Sequence, residues 1–156
     1  MTRPLSDREA LKLSNGRAHL LRLRPYFASA VLSMRPHAAE GLGTFAVDSG
    51  WNLYVDPCQL ELWSPAEIGA VLEHELGHLL RDHHGRGGDL PVAAHQHRLW
   101  NLACDMAIND DLLAEGRPLP GQPPSPVTLG LQPYGMEEHY FDELVASAGA
   151  SAAALT

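Results

Sequence analysis

Two histidines and a glutamate stand within five consecutive residues, His74-Glu75-Leu76-Gly77-His78. Four residues advance an α-helix by about 400°, so on a helix both imidazoles emerge on nearly the same face, one turn apart. This spacing allows two ring nitrogens to bind one metal ion at about 2.0–2.1 Å, the length of a zinc–histidine bond. Glu75 is then near enough to act as a general base toward metal-activated water without being a ligand. The motif therefore predicts a zinc site for the hydrolysis of peptide bonds.

A second polar pattern, formed by Asn101, Asp105 and Asn109, supplies a candidate third ligand. The three residues stand at i, i+4 and i+8 in an otherwise apolar helical segment, where polar groups cost stability unless they are hydrogen-bonded or bind something. If this helix packs against the motif helix, Asp105 faces His74 and His78 as a carboxylate ligand. Asn101 and Asn109 then orient Asp105 or the imidazoles. The alternative interpretation is a stripe that faces solvent.

Four other histidines compete for the place of third ligand: His83, His84, His95 and His97. His84 has the spacing of the pattern H-E-x-x-H-x-x-G-x-x-H, but that pattern needs a glycine where Arg81 stands. On an unbroken helix His84 lies about 80° around the axis from the first histidine of the motif and nearly three turns along it, too far to reach the same ion. His83 is expected on the opposite side of that helix. His95 and His97 are interpreted as rim residues, with an exchange for Asp105 left open.

The motif lies on the most clearly marked helix of the chain. Ser64-Pro65-Ala66-Glu67 provides an N-cap serine, a proline at the first helical position and a glutamate at the third. Apolar residues follow at helical spacing and define one buried face: Ile68, Val71, Leu72, Leu76, Leu79 and Leu80. We expect the helix to end near His83 or His84, because glycines follow. Gly77 costs this helix about 1 kcal/mol relative to alanine, which close backbone packing beside a site would explain.

The other predicted elements follow from capping, periodicity and helix-breaking residues. In chain order they are a helix over residues 6–23, a helical stretch over 26–34, a hairpin of 44–48 and 51–55, a helix over 95–113, a proline-rich loop over 118–133 and a short amphipathic helix around Tyr140. Residues 1–146 are predicted to form a single domain. The Ala/Ser-rich residues 147–156 are predicted to be a tail or a linker.

Composition restricts the class of protein. The 156 residues are 45% hydrophobic and carry a net charge of −8, which is typical of a globular domain and argues against binding to nucleic acid. Two cysteines are too few for a disulfide framework. No apolar run reaches the roughly 18 residues of a membrane-spanning helix and no secretory signal is recognisable, so we expect a cytoplasmic protein without a membrane partner. The basic side chains of residues 1–36 are interpreted as a solvated helix face.

Four segments of the chain share the residues of one known family: 73–86, 99–109, 54–57 and 137–140. They resemble the bacterial putative metallopeptidase domain that commonly precedes a von Willebrand factor A-like domain. The paired H-E-x-x-H and W-N-x-x-x-D blocks make the resemblance specific, and it covers most of the chain. His83 and Arg86 also belong to the family pattern, without an assigned role. No von Willebrand-like domain follows here, so we expect either a standalone form or a fragment of a longer chain.

This resemblance implies a zincin-like α+β fold, mostly helical, with a small hairpin or sheet beside the motif helix. It implies zinc on His74 and His78, with Glu75 as the catalytic residue. It also favours Asp105 over His84 as the third ligand, because the Asn-x-x-x-Asp block is part of the family pattern.

In a fold of this type, the strand beside the motif helix lies at a sheet edge and can pair with an extended peptide. Residues 45–48 or 51–55 would supply that strand. Tyr134 and Tyr140 are candidates to stabilise the oxyanion, although packing is the better interpretation of both. We therefore expect a peptide or protein substrate, and a von Willebrand A-like domain or another protein as a partner.

The expected function is that of a zinc-dependent metallopeptidase. The alternative is a zinc-stabilised binding or regulatory module without turnover, which would use the same cleft to hold a partner. Glu75 favours the enzyme, because a structural zinc site has no use for a general base. A weaker third hypothesis is an adaptor that binds RNA or lipid through its basic N-terminal helix.

Overall fold

The computed structural model describes residues 1–89 and 96–154. Within these ranges the chain forms the helices α1 (Asp7–Leu23), α2 (Ala28–Ser33), α3 (Pro57–Leu62), α4 (Pro65–Leu80), α5 (His83–Asp89), α6 (His97–Ala114) and α7 (Glu137–Ala154). The strands are β1 (Thr2–Arg3), β2 (Arg35–Ala39), β3 (Phe45–Val47) and β4 (Asn52–Val55). This mostly helical α+β architecture with one small sheet confirms the expected fold class.

The strands form a mixed sheet in the order β1-β2-β4-β3. β3 and β4 are antiparallel, with Phe45 opposite Val55, which confirms the predicted hairpin. β2 runs parallel to β4, with Pro36 opposite Leu53. Neither β1 nor β2 is predicted from the sequence. Pro36, which lies in β2, is interpreted there only as the end of a helical stretch. β4 is therefore an interior strand, and β3 lies at an edge of the sheet.

Two glycines allow α1 and α4 to cross at close range. A Cβ atom on Gly16 would overlap the side chain of Ile68, and one on Gly69 would lie 3.1 Å from the carbonyl oxygen of Gly16. Both helices begin with the predicted capping boxes, at Ser6 and Ser64. The main core surrounds this crossing and contains Leu13, Leu20, Val31, Met34, Phe45, Leu53, Val55, Leu60, Ile68, Val71, Leu72 and Leu76. The motif helix is thereby fixed to the largest apolar cluster of the described residues.

The motif helix α4 ends at Leu80, earlier than the predicted end near His83 or His84. Asp82 adopts a left-handed backbone conformation with φ of 51°, which aspartate tolerates better than most residues. Its carboxylate accepts a hydrogen bond from the N–H of Gly85 at 3.3 Å, and a separate helix, α5, begins at His83. The prediction that His83 lies on the far side of the motif helix is wrong, because this break turns the chain back toward the motif.

Helix α6 follows the prediction closely and lies against α4. Gly77 is at the point of contact, since a Cβ atom there would lie 3.1–3.3 Å from three atoms of the Ile108 side chain. Helix α7 packs on α6 and forms a second apolar cluster, which contains Trp100, Ala103, Cys104, Met106, Ala107, Tyr140 and Phe141. The backbone of α7 remains helical to Ala154, through most of the segment predicted as a tail. The high helix propensity of alanine accounts for this extension.

The basic side chains of the N-terminal region make intramolecular contacts. Arg3 pairs with Glu9 at 2.8 Å, and Arg8 pairs with Glu61 at 2.6 Å. Arg17 donates a hydrogen bond to the carbonyl oxygen of Met34. No helix within the described ranges combines the length and the hydropathy that a bilayer crossing requires.

Candidate metal centre

Three potential ligand atoms from α4 and α6 meet on the wall of a cleft. Nε2 of His74 and Nε2 of His78 lie 3.2 Å apart, and each lies 3.1 Å from Oδ1 of Asp105. Neighbouring ligands of a tetrahedral zinc ion with bonds of 2.0–2.1 Å stand about 3.3 Å apart. The three atoms therefore fit a single zinc ion. Two imidazoles and one carboxylate are also a donor set typical of catalytic zinc sites.

The electrostatic surroundings favour an ionised carboxylate at Asp105. Burial alone would raise the pKa of Asp105, but hydrogen bonds from His74 and His78 outweigh this effect and hold the pKa well below its usual range. For His74, burial would lower the pKa, yet the contact with Asp105 and the charge of Glu75 raise it above its ordinary value. For His78, burial prevails and lowers the pKa. His78 is thus neutral at pH 7, the form of imidazole that binds metals.

Asn109 fixes the orientation of the His74 ring. Its amide nitrogen donates a hydrogen bond to the carbonyl oxygen of Pro124 at 2.7 Å, and its Oδ1 lies 2.8 Å from Nδ1 of His74. Since the amide nitrogen is engaged elsewhere, Oδ1 accepts a hydrogen bond from Nδ1–H of His74. A metal ion on Nε2 would replace the proton that Nε2 otherwise shares with Asp105, and the neutral ring would keep its proton on Nδ1. The predicted role of Asn109 in orienting an imidazole agrees with this contact.

Two residues that the motif does not predict lie behind His78. Nδ1 of His83 lies 3.0 Å from Nδ1 of His78, and Nε2 of His83 lies 2.7 Å from Oε1 of Glu137. Burial would raise the pKa of Glu137, but hydrogen bonds from His83 and Arg86 outweigh it and hold the pKa well below its usual range. The sequence singles out His83 only as a competing third ligand and as part of the family pattern, and the only sequence signal for Arg86 and Glu137 is their place in the segments that resemble the known family.

Glu75 is buried beside the histidines and has no hydrogen bond to any residue that the structure describes. One of its carboxylate oxygens lies within 4.8 Å of ligand nitrogens of His74 and His78. Oδ1 of Asp105 is nearer than this limit, at 3.1 Å from both nitrogens. Burial raises the pKa of Glu75 to about 8, against the opposing charge of His74. An unpartnered carboxyl group at this place is available for proton transfer.

The cleft in front of these residues has a volume of about 740 Å³, within the range of small-ligand and peptide sites. Its apolar wall includes Phe45, Trp63 and Val71. The loop over residues 119–124 contributes Leu119 and three prolines to the lining. The cleft therefore offers apolar surface to the side chains of a ligand, and Glu75 lines the same cleft.

Strand β3 lines this cleft along its whole length, from Phe45 to Val47. The N–H of Asp56 donates to Thr44 O and the N–H of Asp48 donates to Asn52 O, both at 3.2 Å, so these positions face β4. By the alternation of an antiparallel pair, the backbone groups of Phe45 and Val47 point to the free edge. Of the two strands proposed from the sequence, only residues 45–47 lie at an edge, since 52–55 are interior.

The other residues that the sequence offers for the metal site do not contact the three ligand atoms or lie outside the described residues. Asn101, His84 and His97 are exposed and line the cleft, but none of them makes a hydrogen bond to Asp105 or to the two motif imidazoles. His95 lies outside the described residues.

The two candidate tyrosines do not line the cleft within the described part of the chain. The hydroxyl of Tyr140 is buried and donates to Oδ2 of Asp110 at 2.7 Å. Tyr134 is exposed. Packing, the interpretation preferred from the sequence for both residues, agrees with the position of Tyr140.

A family model with the description "Putative metallopeptidase domain" matches residues 8–154. No curated protein and no solved structure matches the chain. The matched range includes the motif helix, the edge strand, Asp105 and Glu137, so the similarity extends over the whole site rather than over the motif alone.

Proposed function

The chain belongs to the family described as "Putative metallopeptidase domain", and from that premise we propose that it is a zinc-dependent peptidase with Glu75 as its general base. The observation that carries the proposal is the set of three atoms, on His74, His78 and Asp105, separated by 3.1–3.2 Å beside an unpartnered buried carboxyl group. A purely structural site would use neither the cleft nor the free carboxyl group.

His74, His78 and Asp105 would hold the zinc ion through two nitrogens and one oxygen. Three protein ligands are the number found in catalytic zinc sites, whereas structural zinc sites usually have four. When bound, zinc would polarise the substrate carbonyl and lower the pKa of a water molecule. The ionised state of Asp105 and the neutral state of His78 suit these residues to the role of ligands.

Glu75 would accept a proton from the attacking water and pass it to the departing amine. Its carboxyl group has no competing partner among the described residues, so proton transfer breaks no existing hydrogen bond. A cation on the neighbouring histidines would favour the ionised form of Glu75 that accepts the proton.

The substrate would bind as an extended peptide along β3. The backbone N–H and C=O groups of Phe45 and Val47 provide the hydrogen bonds of an added strand. Trp63 and Val71 line the cleft beside this strand and can contact apolar side chains of the peptide. The preferred substrate is therefore an unfolded or extended segment with an apolar residue next to the cleaved bond.

The test compares Glu75→Gln with the wild-type protein in zinc content, by elemental analysis, and in cleavage of a library of unstructured peptides, by mass spectrometry. Removal of a general base lowers turnover by about 10²- to 10⁴-fold, so Glu75→Gln should retain zinc and lose cleavage. Glu143→Gln, at an exposed position of α7, is the matched control and should retain both. Cleavage by Glu75→Gln at the wild-type rate would contradict the proposal. Zinc binding without cleavage by any form would instead indicate a binding module.

A further inference from the structure

A chain of hydrogen bonds leads from the proposed metal ligand His78 to the first turn of α7. Nδ1 of His78 faces Nδ1 of His83 at 3.0 Å, and Nε2 of His83 faces Oε1 of Glu137 at 2.7 Å. Three helices, α4, α5 and α7, contribute one residue each. The chain begins at Nδ1 of His78, the ring nitrogen that does not contact Asp105.

Metal binding by His78 leaves a single proton arrangement along this chain. A ligating Nε2 holds no proton, so the neutral ring of His78 carries its proton on Nδ1. Nδ1 of His83 must then accept a hydrogen bond, which places the proton of His83 on Nε2. A carboxylate only accepts hydrogen bonds, and Glu137 supplies that acceptor at the required nitrogen. Each donor in the chain therefore meets an acceptor.

The two outer members of the chain are held rigidly. His83 is 3% exposed and Glu137 is 4% exposed. Glu137 accepts further hydrogen bonds from Arg81 at 3.2 Å and from Arg86 at 2.8 Å. The indole N–H of Trp100 donates to the carbonyl oxygen of His83 at 3.0 Å. Because these partners fix both the backbone of His83 and the carboxylate of Glu137, the ring of His83 has one orientation.

Gly87 makes room for this arrangement. A Cβ atom at Gly87 would overlap the indole nitrogen of Trp100, so a larger residue would displace the indole from the carbonyl oxygen of His83. Gly87 therefore serves the packing around His83.

We propose that His83 and Glu137 are positioning residues that hold His78 in the tautomer and ring orientation needed to bind zinc. The proposal rests on the proposed function only in that it takes His78 as a zinc ligand. His74 receives equivalent support from Asn109, so each imidazole has its own hydrogen-bond partner on the side away from the metal. Removal of such partners typically lowers metal affinity by about 10- to 100-fold.

The experiment measures the zinc dissociation constant by competition with a chromophoric chelator, together with the visible spectrum of the cobalt-substituted protein. His83→Phe removes both ring nitrogens and should weaken zinc binding by about 10- to 100-fold and alter the cobalt spectrum. His83→Asn should restore most of the affinity, because its side-chain oxygen stands near the place of Nδ1 and can accept from His78. His84→Phe is the matched control, since His84 is the adjacent exposed histidine on the same cleft, and it should leave affinity unchanged.

Two results would overturn the inference. One is unchanged zinc affinity in folded His83→Phe, and the other is an equal loss in His83→Phe and His83→Asn, which would indicate packing alone. If His83→Phe does not fold, Glu137→Gln tests the same chain with a weaker acceptor, and about a tenfold loss of zinc affinity is expected. Failure of the wild-type protein to bind zinc would overturn the proposed function and this inference together, whereas normal wild-type binding with no effect at His83 would overturn the inference alone.

Discussion

Replacement of Glu75 by glutamine should stabilise the metal-free protein, and the gain should grow with pH. Glu75 is 7% exposed, and burial raises its pKa from 4.5 to about 8. The folded protein therefore holds the carboxyl proton more tightly than the unfolded chain does. The resulting stability is fully present below pH 4.5 and is lost as the pH rises toward 8. Glutamine has nearly the same shape and stays neutral, so it removes this loss.

The size of the effect at pH 7 follows from the difference between pH 7 and the ordinary pKa of the carboxyl group, because the raised pKa lies above pH 7. At pH 7 the solution is about 2.5 units above the ordinary pKa of 4.5, and each unit corresponds to about 1.36 kcal/mol. The raised pKa of Glu75 therefore lowers the free energy of unfolding by about 3 kcal/mol between acid pH and pH 7. The free energy of unfolding of Glu75→Gln should exceed that of the wild-type protein by this amount at pH 7 and by less than about 1 kcal/mol at pH 4.5.

Urea unfolding in the presence of a chelator, followed by circular dichroism between pH 4.5 and 8, measures this difference. Titrating groups that do not interact with Glu75 cancel when the two proteins are compared at each pH. Glu143→Gln, on the exposed face of α7, should change the free energy of unfolding by less than about 0.5 kcal/mol at every pH. With zinc added, the difference should shrink, because a nearby cation favours ionised Glu75. A difference that does not vary with pH would refute the reasoning, since Glu75 would then titrate like an exposed carboxyl group.

Two further predictions concern the surroundings of the motif. Asp105→Ala should weaken zinc binding by more than the roughly 10- to 100-fold that is typical of residues outside the ligand set. The control Asn101→Ala, one turn earlier on α6, should change the zinc affinity by less than about twofold. Retention of zinc by Asp105→Ala, measured by elemental analysis, would contradict the proposed role of Asp105 as a ligand. Glu73→Ala should lower the free energy of unfolding by about 3–5 kcal/mol, because it leaves Arg117, its buried partner at 2.7 Å, without a counter-charge. Chemical denaturation of Glu73→Ala/Arg117→Ala should show a smaller loss than the sum of the single variants, and strict additivity would contradict the pairing.

The parts of the fold that the sequence predicts well are those with local causes. Both long helices with capping boxes, at Ser6 and Ser64, begin where their caps are. The i,i+4 spacing of His74 and His78 likewise follows from helix geometry alone, and the structure places their nitrogens 3.2 Å apart. Such signals act over a few residues of the same helix.

The parts of the fold that the sequence does not predict depend on contacts between distant residues. The end of α4 is set by the left-handed Asp82 rather than by the glycines that follow, and α5 forms because His83 and Gly87 pack against Trp100 and Glu137. Glu137 is 54 residues from His83 in the chain, so no periodicity links the two. Strand β2 forms because β4 offers it a parallel partner, although its own sequence includes a proline.

The same division explains how much of the candidate site could be predicted. Helix geometry brings His74 and His78 together, but it does not decide which nitrogen of each ring is free. That choice depends on Asn109 for one ring and on His83 with Glu137 for the other, and both partners come from other helices. The motif is therefore necessary for a metal centre and not sufficient for one. A helix with the same five residues and no such partners would leave each ring free to protonate the nitrogen that must bind the metal.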